Sequence, residues 1–88
     1  MSGISRKDID SAGGTFTSGS SDVFINGHSA VRVGDSVMSH PGGFPHNKPP
    51  VMVTGSSTVF VNGKPLCRAG DSAECGHKAS GSIDTFAG

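Results

Sequence analysis

Gly19-Ser-Ser-Asp-Val-Phe-Ile-Asn-Gly27 recurs 36 positions later as Gly55-Ser-Ser-Thr-Val-Phe-Val-Asn-Gly63, and self-similarity at a fixed period is the mark of a repeat architecture. The register holds beyond both Asn-Gly pairs. The chain continues as His28-Ser-Ala-Val-Arg32-Val-Gly34-Asp35-Ser36 in one copy and Lys64-Pro-Leu-Cys-Arg68-Ala-Gly70-Asp71-Ser72 in the other. A third opening, Gly81-Ser-Ile-Asp-Thr-Phe86, is cut short by Ala87-Gly88. Residues 1–88 are thus expected to form one domain with units starting at 19, 55 and 81. Residues 1–18 stand apart as a polar segment in which partial order is expected, with only a weak helical signal around Ser5 to Asp10.

Within a unit, Val23 and Ile25, like Val59 and Val61, alternate with Asp22, Phe24, Asn26 and Thr58, Phe60, Asn62, the period of two of a strand. Asn-Gly tolerates positive φ at both central positions of a type I′ turn, so each unit should double back as a hairpin. Gly34-Asp35 and Gly70-Asp71 then end the second strands, with the carboxylates accepting from nearby backbone N–H groups. One face of Val23-Phe24-Ile25, Val59-Phe60-Val61 and Thr85-Phe86-Ala87 should pack inward and the other remain for a partner. For any single Phe the core is the favoured place, because aromatic side chains dominate small cores.

The 88 residues carry seven Lys and Arg, seven Asp and Glu, and four His. That balance argues against a nucleic-acid or anionic-membrane binder. A single Leu cannot furnish the apolar stripe of a helix bundle, whereas Val, Ile, Phe and Thr suit a pleated surface, so the fold class is all-β. Apolar runs are too short for a bilayer span or a signal peptide, and synthesis in the cytoplasm is expected. With 14 Gly and only 18 Ile, Val, Leu and Phe, the core is sparse and a chain of this size needs a staple.

Two staples compete. His40 and His46 lie in the Pro-rich stretch Met38-Ser-His-Pro-Gly-Gly-Phe-Pro-His-Asn-Lys-Pro-Pro50, and Cys75 and His77 follow the second Gly-Asp-Ser. Repeat logic brings these segments to one pole. Imidazoles and a thiolate make a tetrahedral zinc set, though these spacings are not those of a zinc finger. One structural zinc would supply about 10–16 kcal/mol, against about 2–4 for a Cys67–Cys75 disulfide. Cys67 aligns with Val31, which favours a small buried residue there. Catalysis has less support: Glu74 beside Cys75 could suggest a small metal-dependent enzyme, and Cys75 with His77 a Cys-His nucleophile, but four protein ligands leave a metal no open position.

The set Gly-Ser-Ser-x-Val-Phe-(Ile/Val)-Asn-Gly, then Arg-x-Gly-Asp, Cys-Gly and a closing Phe-Ala-Gly is similar to the PAAR-repeat proteins, with Pro65-Leu-Cys-Arg68 and Ser29-Ala-Val-Arg32 as loose forms of the name motif. The resemblance covers about Gly19 to Gly88. It implies a small conical, pseudo-threefold β-hairpin fold with a metal-pinned apex. It also implies a non-enzymatic tip that caps and sharpens the trimeric β-helical spike of a type VI secretion system or a contractile phage tail. The implied partners are a VgrG-like or phage central spike trimer, the target membrane during penetration, and effector proteins bound separately. The implied destination is the spike or virion tail tip, and then the outside of the cell. Zinc in this family is usually held by three His and one Cys, and His40, His46 and Cys75 fall where the motif places ligands. The remaining His would precede the first repeat, where this chain has Ser11-Ala-Gly-Gly14. His77 is therefore expected as the fourth ligand in preference to His28, which lies at the far end of its hairpin. Strand alternation and the three repeated openings make Val23, Phe24, Val59, Phe60 and Phe86 the residues expected at the spike-facing surface.

Overall fold

A computed structural model describes residues 2–43 and 48–88, and the elements among them are short strands and turns. In chain order they are β1 (Ser2–Gly3), β2 (Ser11–Ala12), β3 (Gly14–Thr15), β4 (Phe24–Ile25), β5 (His28–Ser29), β6 (Phe60–Val61), β7 (Lys64–Pro65) and β8 (Phe86–Ala87). All pairing is antiparallel: β4 with β5, β6 with β7, β2 with β3, and β1 with β8. Ile25 opposes His28 and Val61 opposes Lys64, which leaves Asn-Gly as each two-residue loop. Asn26 and Gly27 have φ of 54° and 83°, and Asn62 and Gly63 have 54° and 77°. This is the left-handed pair that a type I′ turn requires, and it suits the twist of the flanking strands.

The third opening is completed by the other end of the chain. Phe86 opposes Gly3 and Ala87 opposes Ser2, the same pairing as Phe24 with Ser29 and Ile25 with His28. No helix forms over Ser5 to Asp10. Arg6 instead bridges Ala30, and a turn covers residues 7–9. The segment is held because its polar backbone finds partners around a central axis. Ser5 N donates to Cys67 O (3.1 Å), Cys67 N to Val31 O (2.9 Å), and Val31 N to Ser5 O (3.1 Å). Ser5, Val31 and Cys67 are fully buried at this triangle. Around it the bridges Arg32↔Leu66, Arg68↔Ile4 and Arg6↔Ala30 close the ring unit by unit. Three complete units therefore exist, where the sequence shows two and a fragment.

Polar side chains repeat the same cycle. Buried Ser20, Ser56 and Ser82 each accept from the backbone N–H three residues on, at 2.9, 2.9 and 3.0 Å. Each hydroxyl also lies against the following unit: Ser20 at 2.7 Å from Asn62 Oδ1, Ser56 at 2.6 Å from Gly88 O, and Ser82 at 3.4 Å from Asn26 Oδ1. The turns after the second strands use Arg–Asp pairs. Asp35 Oδ2 accepts from Arg32 N (2.7 Å) and Nε (2.9 Å), and Asp71 Oδ2 from Arg68 N (2.8 Å) and Nε (3.0 Å). Arg6 and Asp10 do the same with one extra residue between them, at 2.9 and 2.8 Å. The hydroxyls of Ser18, Thr54 and Ser80 donate to the other oxygens of Asp35, Asp71 and Asp10. The turn role expected of Asp35 and Asp71 is the one they fill. Burial pushes the Asp35 carboxyl up, but hydrogen bonds from the Arg32 side chain, its backbone and Ser18, with the Arg32 charge, bring it below its ordinary value.

Two apolar clusters stack on this framework. Ile4, Ala30, Val61, Leu66 and Ala87 form one, and Ala12, Phe16, Val31, Val37, Met52, Cys67, Ala73 and Ala79 the other. Neighbours in the chain, Ala30 and Val31 or Leu66 and Cys67, divide between them because strand side chains alternate. The body measures 32 × 24 × 23 Å, one long and two nearly equal short dimensions, as suits a fold wound about a single pseudo-threefold axis.

A candidate metal centre at the tips

After each Asp-Ser the chain leaves the ring, turns, and returns to open the next unit. The first tip lies at Gly13-Gly14 and the third at residues 74–77; of the middle one, residues 38–43 and 48–50 are described. Met38 N donates to Thr15 O (2.8 Å) and Glu74 N to Val51 O (2.9 Å), so the three tips are tied side by side. The last is tight: Gly76 has φ of 92°, Gly76 N donates to Ala73 O (2.9 Å) and Ala73 N to His77 O (3.0 Å).

These ties bring His40, Cys75 and His77 together, their ligand atoms all within 4.8 Å of one another. His77 Nδ1 lies 3.0 Å from His40 Nε2, while Cys75 Sγ lies 3.6 Å from His77 Nδ1 and 3.8 Å from His40 Nε2. Zn–N and Zn–S bonds of ~2.0 and ~2.3 Å at tetrahedral angles span edges of about 3.3 Å (N···N) and about 3.5 Å (N···S). The three donors therefore fit three corners of such a site. His40 Nδ1 lies 3.1 Å from Met38 O. A carbonyl can only accept, so this contact places the proton on Nδ1 and leaves Nε2 as donor to a metal. The two rings stand 4.8 Å apart, tilted by 45°. Cys75 packs against the apolar cluster below them.

His46, expected as a further ligand, lies outside the described residues. His28 lies in β5 opposite Ile25, among the hairpins and apart from the group. Both cysteines are free thiols. Cys67 is fully buried with Sγ 3.6 Å from Thr54 O, and burial pushes its thiol up to about 12. It is thus the inert packing residue that its alignment with Val31 suggested. Glu74, the one candidate acid beside Cys75, accepts from Val51 N through Oε1 (3.2 Å) and so helps lash the tips.

At the hairpin level the expected partner face changes. Phe24, Phe60 and Phe86 are 56 %, 56 % and 47 % exposed, and among the described residues the fully buried aromatic is Phe16. The core placement favoured for a single Phe thus fails at the three repeat positions. Val23 and Val59, expected at the partner surface, are half-buried against the Ile4–Leu66 cluster. Alternation explains both corrections: with 23, 25, 59, 61 and 87 inward, 24, 60 and 86 must point out. Sequence reasoning also passed over Gly13-Gly14 and the buried Ser20, Ser56 and Ser82. The recurrence of Gly-Ser at each opening was the signal for the serines.

A fold of three hairpin units, with no helix among the described residues, wound round one axis and ending in a His/Cys group, defines a small repeat protein with a metal-suited tip. A family model described as the PAAR motif matches residues 6–79, and the chain belongs to that family. Comparison with curated proteins returns no match. PAAR-motif proteins have a β-rich conical fold, are structural, and are associated with the spike tip of contractile injection systems, where they sit on spike proteins.

Proposed function

We propose that this protein is the tip that caps and sharpens the trimeric β-helical spike of a contractile injection machine, of the type VI secretion or phage-tail kind. The observation that carries the reading is the outward placement of Phe24, Phe60 and Phe86 at equivalent positions of three units closed about one axis. A single chain with three like edges can meet a partner with true threefold symmetry. Each Phe buried at such a contact is worth roughly 1.5–3 kcal/mol. One structural zinc held by His40, Cys75 and His77, with His46 as the fourth ligand, would clamp the tips together. Its chemistry is to join donors from separate loops with bonds stronger than this sparse core can replace. A stiff, pinned point serves penetration of a target membrane. The protein is made in the cytoplasm and rides the spike outward, with effector proteins as further partners.

Membership of a structural family supports a structural role over that of a metal-dependent enzyme. The test is co-purification with trimeric β-helical spike proteins, followed by metal analysis. A 1:3 complex lost in the triple variant Phe24→Ala/Phe60→Ala/Phe86→Ala is expected. Failure of the folded, metal-loaded protein to bind any three-chain spike would overturn the reading.

A further inference from the structure

The three tips differ in what they bring to the metal group. The tip within 38–50 brings His40, and the tip at 74–77 brings both Cys75 and His77. The first, with Gly13 between β2 and β3 and Gly14 opening β3, has no side chain to offer there. A Cβ on Gly13 would lie 2.0 Å from His77 Nδ1, 2.7 Å from His77 Cε1 and 2.8 Å from His40 Nε2. It would therefore overlap both nitrogens that face the metal position. A Cβ on Gly14 would lie 2.3 Å from Met38 O and 3.2 Å from His40 Nδ1. That carbonyl is the one that accepts from His40 and sets its tautomer. Backbone freedom alone does not account for the pair, because Gly14 is not at positive φ.

We propose that Gly13-Gly14 is the positioning element of the metal site: it supplies no ligand, but its bare backbone leaves the room into which His77 swings and in which Met38 O orients His40. In effect the first tip yields its corner of the site to a second donor from the third tip. The proposal rests on the metal reading above and concerns how this chain assembles the donors.

The experiment measures Co²⁺ and Zn²⁺ affinity by chelator competition, the Co²⁺ absorption spectrum and the melting temperature of the whole chain. Gly34→Ala is the control, since Gly34 has φ of 93° with nothing within 4 Å of its Cβ position. It imposes the same kind of backbone strain as Gly13→Ala, whose native φ is 86°, far from the metal. Gly13→Ala should weaken metal binding about 10- to 100-fold, as loss of a ligand-orienting contact does, and alter the Co²⁺ spectrum. Gly34→Ala should lower the melting temperature and leave affinity and spectrum unchanged. In a His77→Ala background, adding Gly13→Ala should cost much less affinity than it does alone, because its main clash is gone. Gly14→Ala, free of the φ penalty, gives a second reading of the same effect. Should the wild-type chain bind no metal, the metal reading itself falls. Wild-type binding with equal affinity in Gly13→Ala and Gly14→Ala, or an equal loss in Gly34→Ala, would overturn the positioning role alone.

Discussion

The hairpin ring and the tips are built on opposite plans. In the ring, each contact occurs three times: the Ser5, Val31 and Cys67 triangle, the Ser20, Ser56 and Ser82 links, and the Arg–Asp turns. At the tips the backbone ties recur, Met38 to Thr15 and Glu74 to Val51, but the side chains differ: two glycines, a Pro-rich stretch with His40, and a tight Cys75-Gly76-His77 turn. A ring whose units are alike can be held by backbone pairing and buried polar links, spread evenly. Three loops of unlike sequence share only a few backbone ties, and donors converging on one ion can add to them.

That contrast is broken most severely by removing the ion. Chelation, His40→Ala or Cys75→Ser should each abolish stoichiometric metal and lower the melting temperature steeply, since a structural zinc is worth about 10–16 kcal/mol. His28→Ala should do neither. Calorimetry with metal analysis checks all four, and a metal-free chain that melts like the loaded one would show that the ring alone holds the fold.

Next in size is a break in the ring. Asp35→Asn leaves Arg32 and its backbone N–H with a neutral partner at a site where the Asp side chain is 6 % exposed. Loss of a charge partner at so buried a site should cost on the order of 3 kcal/mol, read from denaturant melts, with metal stoichiometry retained. Smaller still is the pH response. Asp35 titrates below its ordinary value in the fold, so its contribution is complete above about pH 4 and is lost as pH falls through the folded value. Cys67 runs the other way. With its thiol raised to about 12, stability is complete below the ordinary thiol value and declines as pH rises above about 8.5. Cys67→Val, which copies Val31, should remove that alkaline decline and change little at pH 7. The smallest effect sharpens the comparison from the surface. Phe24→Ala, Phe60→Ala or Phe86→Ala should shift stability by about 0.5 kcal/mol or less, while weakening attachment to a spike trimer.

Where the signal was local, the sequence was enough. Val-Phe-(Ile/Val)-Asn-Gly names a strand and a two-residue turn that suits its twist, and Gly-Asp names the next turn, because those conformations are set within a few residues. His40, Cys75 and His77 could be grouped because the repeat says which loops are neighbours. The N-terminal segment resisted reading. Arg6-Lys-Asp-Ile-Asp10 carries one residue more than Arg32-Val-Gly-Asp35, which hides the match, and Ala87, the strand partner of Ser2, lies at the other end of the chain. Composition could not place the aromatics either, since Phe16 and Phe24 are the same residue and differ only in which side of a strand faces the axis.

Residue order, then, determined the three-part plan, the hairpins, the turn carboxylates and the donors at the tips, all of which follow from chemistry over short spans of chain. Tertiary structure alone decided that residues 2–10 finish the third unit, that three Phe point outward, and that Gly13-Gly14 makes room for His77. Those outcomes depend on ring closure, and closure joins backbone groups far apart in sequence whose pairing no local preference encodes.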